Sequence, residues 1–355
     1  MKLSIIGSVG IPNLYGGFES FVESCSPYFL RTFKSVFVTC CSKSHDDHSF
    51  FYNGIQRIFI RIPANGFYSI IHDLVAFISI FYKSSHILVL GVSGGIWFPL
   101  FYFCCTVTGK KLMVNIDGVE WKRKKYSIYK KFFLKLFDYL CQRYSHFVVY
   151  DNIGLQNYLY QFAKDKSFAI SYPGDHVCRL ETKIVPKTAL TICRIEPENN
   201  IELLINGALR SSLVSYTIVG NWQHSKYGKN LFAKYSHNPK LILLDPVYNP
   251  VEIAKLRGAC SLYLHGHSVG GTNPSLVEML FYDCTILCYD VSFNRYTASS
   301  SAGYFTTMES LSHLINKSII KHCTIDSERI NSRNLFTAHK ISQSYVEVLT
   351  SSKTT

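Results

Sequence analysis

The sequence is poor in acid and poor in metal-binding patterns. Only 24 Asp and Glu stand against 37 Lys and Arg in 355 residues, a formal charge of +13. That imbalance points to anionic partners (phosphates, anionic lipid or nucleic acid) without choosing among them. The twelve cysteines include no C-x-x-C pair, and most lie within apolar runs. Zinc binding is thereby disfavoured, and buried thiols in a reduced, cytoplasmic setting are expected. No Asp-x-Asp follows an apolar strand to hold a divalent cation with a diphosphate, and His265 and His267 have no partner set at ligand spacing. Helix-turn-helix, RNA-recognition and zinc-finger patterns are missing, so the positive charge is not read as nucleic-acid binding. Low-complexity tracts are missing too. The opening Lys2-Leu3-Ser4-Ile5-Ile6-Gly7 is too short an apolar run for a secretory signal and reads as a first strand.

What is present is apolar: 47% of residues are hydrophobic, and the length favours two domains. Apolar runs alternate with amphipathic stretches throughout, which predicts α/β architecture with parallel sheets. Strands are expected at 2–6, 36–40, 58–62, 87–90, 111–116 and 147–150, with helices at 17–30, 68–82, 127–143 and 153–162. Residues 87–107 carry no charge and could span a bilayer by length. Their glycines and Pro99 favour a buried strand, a loop and a buried helix over 96–106. The pattern breaks at Ser171-Tyr172-Pro173-Gly174-Asp175, then restarts with strands at 189–193, 216–219, 241–244, 261–264 and 285–289 and helices at 201–210 and 251–258. Helical patterns close the chain near 308–320 and 336–349. Three segments follow: a Rossmann-like domain over 1–174, a second over 175–330, and a closing helix over 331–355. Ligand is expected at the carboxyl ends of the strands, in the cleft between the domains.

Residues 265–279 are the most informative stretch. An apolar run at 260–264 leads into His265-Gly266-His267-Ser268-Val269-Gly270-Gly271-Thr272-Asn273-Pro274-Ser275, and a helical pattern carrying Glu278 follows. A strand, a glycine turn and a newly capped helix direct unpaired N–H groups and a helix dipole at one spot, which suits an anion. A carboxylate about one turn in suits a ribose hydroxyl better than a phosphate. The combination suggests a bound nucleotide diphosphate, with His267, Gly271, Thr272, Asn273, Ser275 and Glu278 as candidate contacts.

Other constellations lie at the ends of other strands. In Gly7-Ser8-Val9-Gly10-Ile11-Pro12-Asn13-Leu14-Tyr15-Gly16-Gly17-Phe18-Glu19 there is neither dinucleotide fingerprint spacing nor a P-loop lysine, yet Gly16 and Gly17 would let backbone approach a ligand. An ordinary turn rich in Gly and Pro explains the stretch equally well. Arg194 leaves the first strand of the second domain, where a guanidinium can grip a diphosphate bidentately; a surface loop arginine is the plainer reading. Asp117 and Glu120 follow another strand and could orient a hydroxyl. Beyond them Lys122, Arg123, Lys124, Lys125, Tyr126, Lys130, Lys131, Phe132, Phe133 and Lys135 mix cations with aromatics, as docking on an anionic membrane surface requires; a solvated basic face is the alternative.

Five blocks resemble one group of enzymes: Gly7-Ser8-x-Gly10-Ile11-Pro12 with Tyr15-Gly16-Gly17-Phe18-Glu19; Asp117-Gly118-x-Glu120-Trp121-Lys122-Arg123; Arg194-Ile195-Glu196-Pro197-Glu198-Asn199-Asn200; residues 265–275; and Asp290-Val291-Ser292-Phe293-Asn294-Arg295. They are similar to the rhamnosyltransferase-type subgroup of bacterial retaining glycosyltransferase family 4, which has the GT-B fold. The resemblance implies two Rossmann-like domains with parallel sheets facing across a cleft, no metal or other cofactor, and a last helix that returns to the first domain. It also implies a nucleotide-sugar donor, dTDP-rhamnose, and a lipid-linked oligosaccharide acceptor on the inner face of the cytoplasmic membrane, in O-antigen or capsule assembly. Arg194 would neutralise the leaving diphosphate, Glu278 would hold the donor ribose, and Asp117 or Glu120 would orient the acceptor. The first of the family's two donor-motif glutamates falls on Gly270 and its phosphate lysine on Asn199, both departures shared by the subgroup. Val9 stands where the subgroup usually has arginine, and Pro173 where glycine is common. A different donor such as a UDP-hexose, a sugar-nucleotide epimerase and a non-catalytic scaffold of a polysaccharide assembly complex are the rival readings.

Overall fold

The computed structural model describes residues 1–14, 16–123, 126–320 and 327–351; Tyr15, Lys124 and Lys125, singled out above, lie outside them. The chain divides into two units, Met1–Pro173 with Thr337–Thr355, and Gly174–Phe336.

Unit 1 contains β1 (Lys2–Ile6), α1 (Gly17–Phe29), β2 (Ser35–Cys41), β3 (Phe51–Tyr52), β4 (Ile55–Ile60), α2 (Ser69–Phe81), β5 (His86–Leu90), α3 (Phe98–Val107), β6 (Lys111–Asn115), α4 (Ile128–Arg143), β7 (Phe147–Tyr150) and β8 (Ser167–Ala169). The strands form one sheet in the order β3-β4-β2-β1-β5-β6-β7-β8, parallel except for the β3–β4 hairpin. Right-handed crossovers place α1 on one face of this sheet and α2, α3 and α4 on the other. β1 and β5 are buried on both faces, which accounts for their continuous apolar runs.

Unit 2 contains β9 (Val185–Ile192), α5 (Ile201–Leu209), β10 (Ser215–Val219), α6 (Lys226–Tyr235), β11 (Leu241–Leu244), α7 (Pro250–Ala259), β12 (Cys260–His265), α8 (Pro274–Leu280), β13 (Thr285–Tyr289), α9 (Ser292–Ala298), β14 (Ala302–Phe305), α10 (Met308–Ile320) and α11 (Ser327–Leu335). Its all-parallel sheet runs β11-β10-β9-β12-β13-β14. One core lies under α5, α6 and α10, another under α7, α8 and α9. The chain re-enters unit 1 as α12 (Ala338–Thr350), capped by Thr337. There α12 packs on α1, with the Tyr345 and Phe21 rings 4.9 Å apart.

Two expectations need correction. Residues 153–162 form no α-helix but two 3-10 segments, Ile153–Tyr158 and Gln161–Lys166. The glycine at 154 and the Asn152 side chain, which accepts from the Gly154 N–H, favour the tighter turn. The helix expected over 96–106 is α3, and it is buried on one side only: Phe98, Phe101 and Cys105 face the core while Leu100, Phe103 and Val107 are exposed. Apolar content alone cannot separate a buried helix from a helix whose outer face is also apolar. Among the described residues no helix is long and apolar enough to cross a membrane.

Candidate functional site

Each sheet reverses its strand order once, between β1 and β5 in unit 1 and between β9 and β12 in unit 2. In open α/β sheets ligands bind outside the carboxyl ends of the strands at such switch points. The loops that leave β9 and β12 carry Arg194 and the 266–273 segment, and those loops are sewn together.

Asn199 makes the central stitch. Its Nδ2 donates to the Arg194 carbonyl at 2.7 Å, and its Oδ1 lies 2.8 Å from His267 Nδ1. A carbonyl can only accept, so the amide nitrogen must face Arg194 and the amide oxygen must face the ring. His267 therefore carries its proton on Nδ1. The Asn200 side chain donates to the Gly266 carbonyl at 2.8 Å, and Ser268 donates both N–H and Oγ–H to the Glu198 carbonyl at 2.9 and 2.8 Å. From the far side Asn294 Nδ2 donates to the carbonyls of His267 and Tyr289, each at 2.8 Å. A lysine at 199 could not make the two-way bridge, which explains the asparagine. Glu198 is buried with both carboxylate oxygens unpaired, and His265 is buried with Nε2 unpaired. Burial pushes His265 down to about 3, so it is neutral at physiological pH.

On this clamped frame the Arg194 side chain is exposed and makes no hydrogen bond or ion pair among the described residues. A guanidinium without a protein partner leaves its donors available to an anion. The α8 N-terminus is less open than the sequence suggests: Asn273 Oδ1 already accepts from the Ser275 N–H at 3.0 Å. Gly271 and Thr272 are buried beside it. Glu278 is engaged as well, by Arg257 on Oε2 and by His176 Nε2 at 3.3 Å on Oε1. Burial alone would raise its carboxyl, but Arg257 first and His176 second hold it below the usual glutamate range, so it stays charged. Arg257 and His176 were not legible as partners of Glu278, because 21 residues separate the first pair in sequence and only the fold brings them together.

Gly270 sits at φ +129°, a conformation that side chains avoid. A Cβ there would lie 3.2 Å from His267 Nε2. The His267 ring is the nearest side chain to position 270.

In unit 1 the β1–α1 loop carries Gly16 at φ +114°, where a Cβ would strike Glu19 Oε2; Gly17 opens α1. Glu19 is buried, its Oε1 accepting from the Val9 N–H at 2.7 Å, and burial raises its carboxyl. The fully buried Arg57, which sequence reading passed over, steadies the same loop through the Ile11 carbonyl and pairs with Asp47 at 2.5 Å. Asp117 follows β6 at φ +56°, unusual for a side-chain-bearing residue. Its N–H donates to Asn115 Oδ1 at 2.8 Å and its Oδ1 accepts from the Tyr172 hydroxyl at 2.7 Å. Backbone held in a sparse region by surrounding bonds is a mark of functional loops. Glu120 is half-buried and paired with Arg123. Lys122 is drawn back onto Tyr158, donating to its hydroxyl at 2.8 Å. Among the described residues no group of three or more His, Cys, Asp or Glu could hold a metal ion.

Residues 1–175 match a family model described as "Domain of unknown function (DUF1972)". No curated protein matches the chain. Among solved structures the chain is similar to sucrose-phosphate synthase from Thermosynechococcus elongatus, with 11% identity, TM-score 0.77 and 98% of each chain covered. It is similar to Anabaena HepE in complex with UDP, with 14% identity, TM-score 0.72, and 98% of this chain and 99% of that one covered. A glycosyltransferase from Rickettsia africae follows at 13% identity and TM-score 0.68, with 98% and 97% covered. The fold is GT-B, with two Rossmann-like, parallel-sheet domains.

Proposed function

We propose that this protein is a glycosyltransferase that takes rhamnose from dTDP-rhamnose, with retention and without a metal, and places it on a lipid-linked oligosaccharide at the inner face of the cytoplasmic membrane, in O-antigen or capsule assembly. The observation that supports the reading is Arg194: an exposed, unpaired guanidinium on a residue whose backbone carbonyl is held by Asn199 at the switch point of unit 2. HepE, of the same fold, was solved with UDP, a nucleoside diphosphate. In the reaction the bond between the sugar's anomeric carbon and the diphosphate breaks, and the diphosphate moves toward Arg194 and the N–H groups near Thr272. Charge developing on the leaving oxygens is met by a preorganised cation. The acceptor hydroxyl attacks from the same face, forms the new glycosidic bond, and passes its proton to the departing phosphate. Asp117, or Glu120 once released from Arg123, orients that hydroxyl, and Glu278 holds the ribose. The basic block around Lys130 and Lys135 lies against anionic lipid.

A second donor has a specific observation behind it, since HepE was also solved with UDP-glucose. A panel of dTDP-rhamnose, UDP-glucose and UDP-galactose with a lipid-linked acceptor tests the reading, and dTDP-rhamnose is expected to be consumed. Transfer only from a UDP-hexose overturns the rhamnose assignment. Arg194→Ala is expected to lower kcat by about 10²–10³ with no change in melting temperature. Complementation of a polysaccharide defect by Arg194→Ala would overturn catalysis in favour of a scaffold.

A further inference from the structure

The helix layer formed by α2, α3 and α4 has an apolar outer surface as well as an apolar inner one. On α2 and its C-cap residue the outward side chains are Ile71, Ile78 and Tyr82, with Val75 partly exposed between them. On α3 and the turn before it they are Ile96, Leu100, Phe103 and Val107. Both sets follow the spacing i, i+4, i+7, i+11, one face of a helix turned away from the core. On α4 the exposed set is Ile128, Tyr129, Phe132, Phe133, Leu136 and Tyr139. These are not marginal exposures: Tyr82 is 93% accessible, Tyr129 77%, and Phe103 and Val107 64% each.

The three helices are neighbours. The Phe77 ring of α2 stacks on Phe101 of α3 at 3.9 Å, and the backbone at Gly95, just before α3, lies so close to Phe137 of α4 that a Cβ there would come within 2.5 Å of it. The stripes therefore form one face. Apolar patches on that scale mark interaction surfaces.

The charges around the face have one sign. Across residues 66–110 and 127–143 the carboxylates are Asp73 and Asp138, and both are buried. Every charged side chain there that reaches the surface is basic: Lys83, Lys110, Lys130, Lys131, Lys135 and Arg143. A second copy of the chain on this face would set lysine against lysine in a two-fold interface, which is unfavourable. Anionic lipid meets the apolar stripes and the cations together, with Tyr82, Tyr129 and Tyr139 at headgroup depth, where tyrosines are enriched.

We propose that the α2–α3–α4 layer of unit 1 is a lipid-docking face that seats its apolar stripes in the interface of an anionic bilayer, with the surrounding lysines on the headgroups. This extends the membrane part of the function proposed above from one basic block to a whole layer, and sugar transfer stands or falls separately.

Flotation with vesicles of phosphatidylglycerol and phosphatidylethanolamine in equal parts, against pure phosphatidylcholine, tests it. Binding to the anionic vesicles is expected, falling with salt to a fraction that high salt does not remove. Phe103→Ser with Tyr82→Ser is expected to weaken binding by roughly tenfold or more and to abolish the salt-resistant fraction. Each of Lys130→Glu and Lys135→Glu is expected to weaken binding about fivefold at low salt. These residues are exposed, so an unchanged melting curve and unchanged donor turnover with a detergent-dispersed acceptor are expected for all the variants. Binding that the lysine variants reduce and the Phe103/Tyr82 variant does not would overturn the layer and leave the basic block standing. Failure to bind, or a dimer in sedimentation that Phe103→Ser dissolves, would overturn lipid as the occupant.

Discussion

The two units share a doubly wound plan, yet their helix layers meet the outside differently. In unit 2 the helices beside β9 and β10 carry surface ion pairs, Lys234 with Glu202 at 2.6 Å and Arg210 with Glu309 at 2.9 Å. In unit 1 the α2, α3 and α4 helices carry outward aromatics and no exposed acid. Surface ion pairs add little stability, so the pairs in unit 2 mark a face designed for water rather than one needing reinforcement. The contrast extends to the loops. Unit 2 clamps its switch-point loops with the side chains of Asn199, Asn200 and Asn294. Unit 1 shapes its loops with buried ionisable groups, Glu19 and Arg57, and with the Asp117–Tyr172 bond. The unit 2 loops are tied together chiefly by neutral amides, while the unit 1 loops lean more on ionisable side chains.

Asn199→Ala should break that comparison most severely. It removes a buried two-way bridge and leaves the Arg194 carbonyl and the His267 ring to find other partners, a loss of about 2 kcal/mol. The thermal transition of unit 2 should fall while that of unit 1 stays, and donor turnover should fall with it. An unaltered unit 2 transition, read by calorimetry, would show that the clamp is ornamental.

Acid should separate the units next. His265 has its folded pKa pushed down to about 3 by burial, against about 6.5 unfolded. The unfolded chain then binds the extra proton, so unit 2 loses stability as pH falls from about 6.5 toward 3, by about 1.4 kcal/mol per pH unit at most. Glu278, held low by its partners, adds a loss of the same sign as pH falls through its folded pKa. In unit 1 His146 behaves like His265, pushed down to about 4 by burial and then by Lys111 and Lys166. Asp138 works against it: burial raises it to about 6, so the folded unit binds a proton first and gains stability as pH falls toward about 3.8. In unit 1 burial also raises Glu19 and Asp73 and lowers His45 and His86, so its shifts oppose one another. The melting temperature of unit 2 should therefore fall further than that of unit 1 between about pH 7 and pH 5, and a larger fall in unit 1 would contradict this assignment of signs.

The smallest effect should come from Gly270→Ala, which forces a side chain into positive φ beside His267 at a cost of about 1 kcal/mol. It should raise KM for the donor more than it lowers kcat, since it crowds the gap without touching Arg194. Steady-state kinetics with the preferred donor would show whether that split holds.

Much of this was legible before the fold was known. Apolar runs at 2–6, 87–90 and 147–150 read as buried parallel strands, because such strands are dry on both faces. Short or masked signals failed: β3 and β14 are too brief to show a period, and the polar α6 lacks a long apolar stripe. Among the candidate site residues, Arg194 and Asp117 stood out from their positions after strands, and Gly270 from the resemblance alone. Arg257, His176 and Arg57 did not, because a charged residue paired inside a fold looks in sequence like any other charged residue.

By itself, then, the order of residues determined the alternation of strands and helices, the positive charge, and which loops would emerge at strand ends. Those depend on local period and composition, which a chain carries whether folded or not. The tertiary structure decided which side of α3 faces out, which tautomer His267 adopts, and that Glu278 is shared between Arg257 and His176. Each of these is a contact between distant parts of the chain, and burial and hydrogen-bond direction exist only once such parts have met.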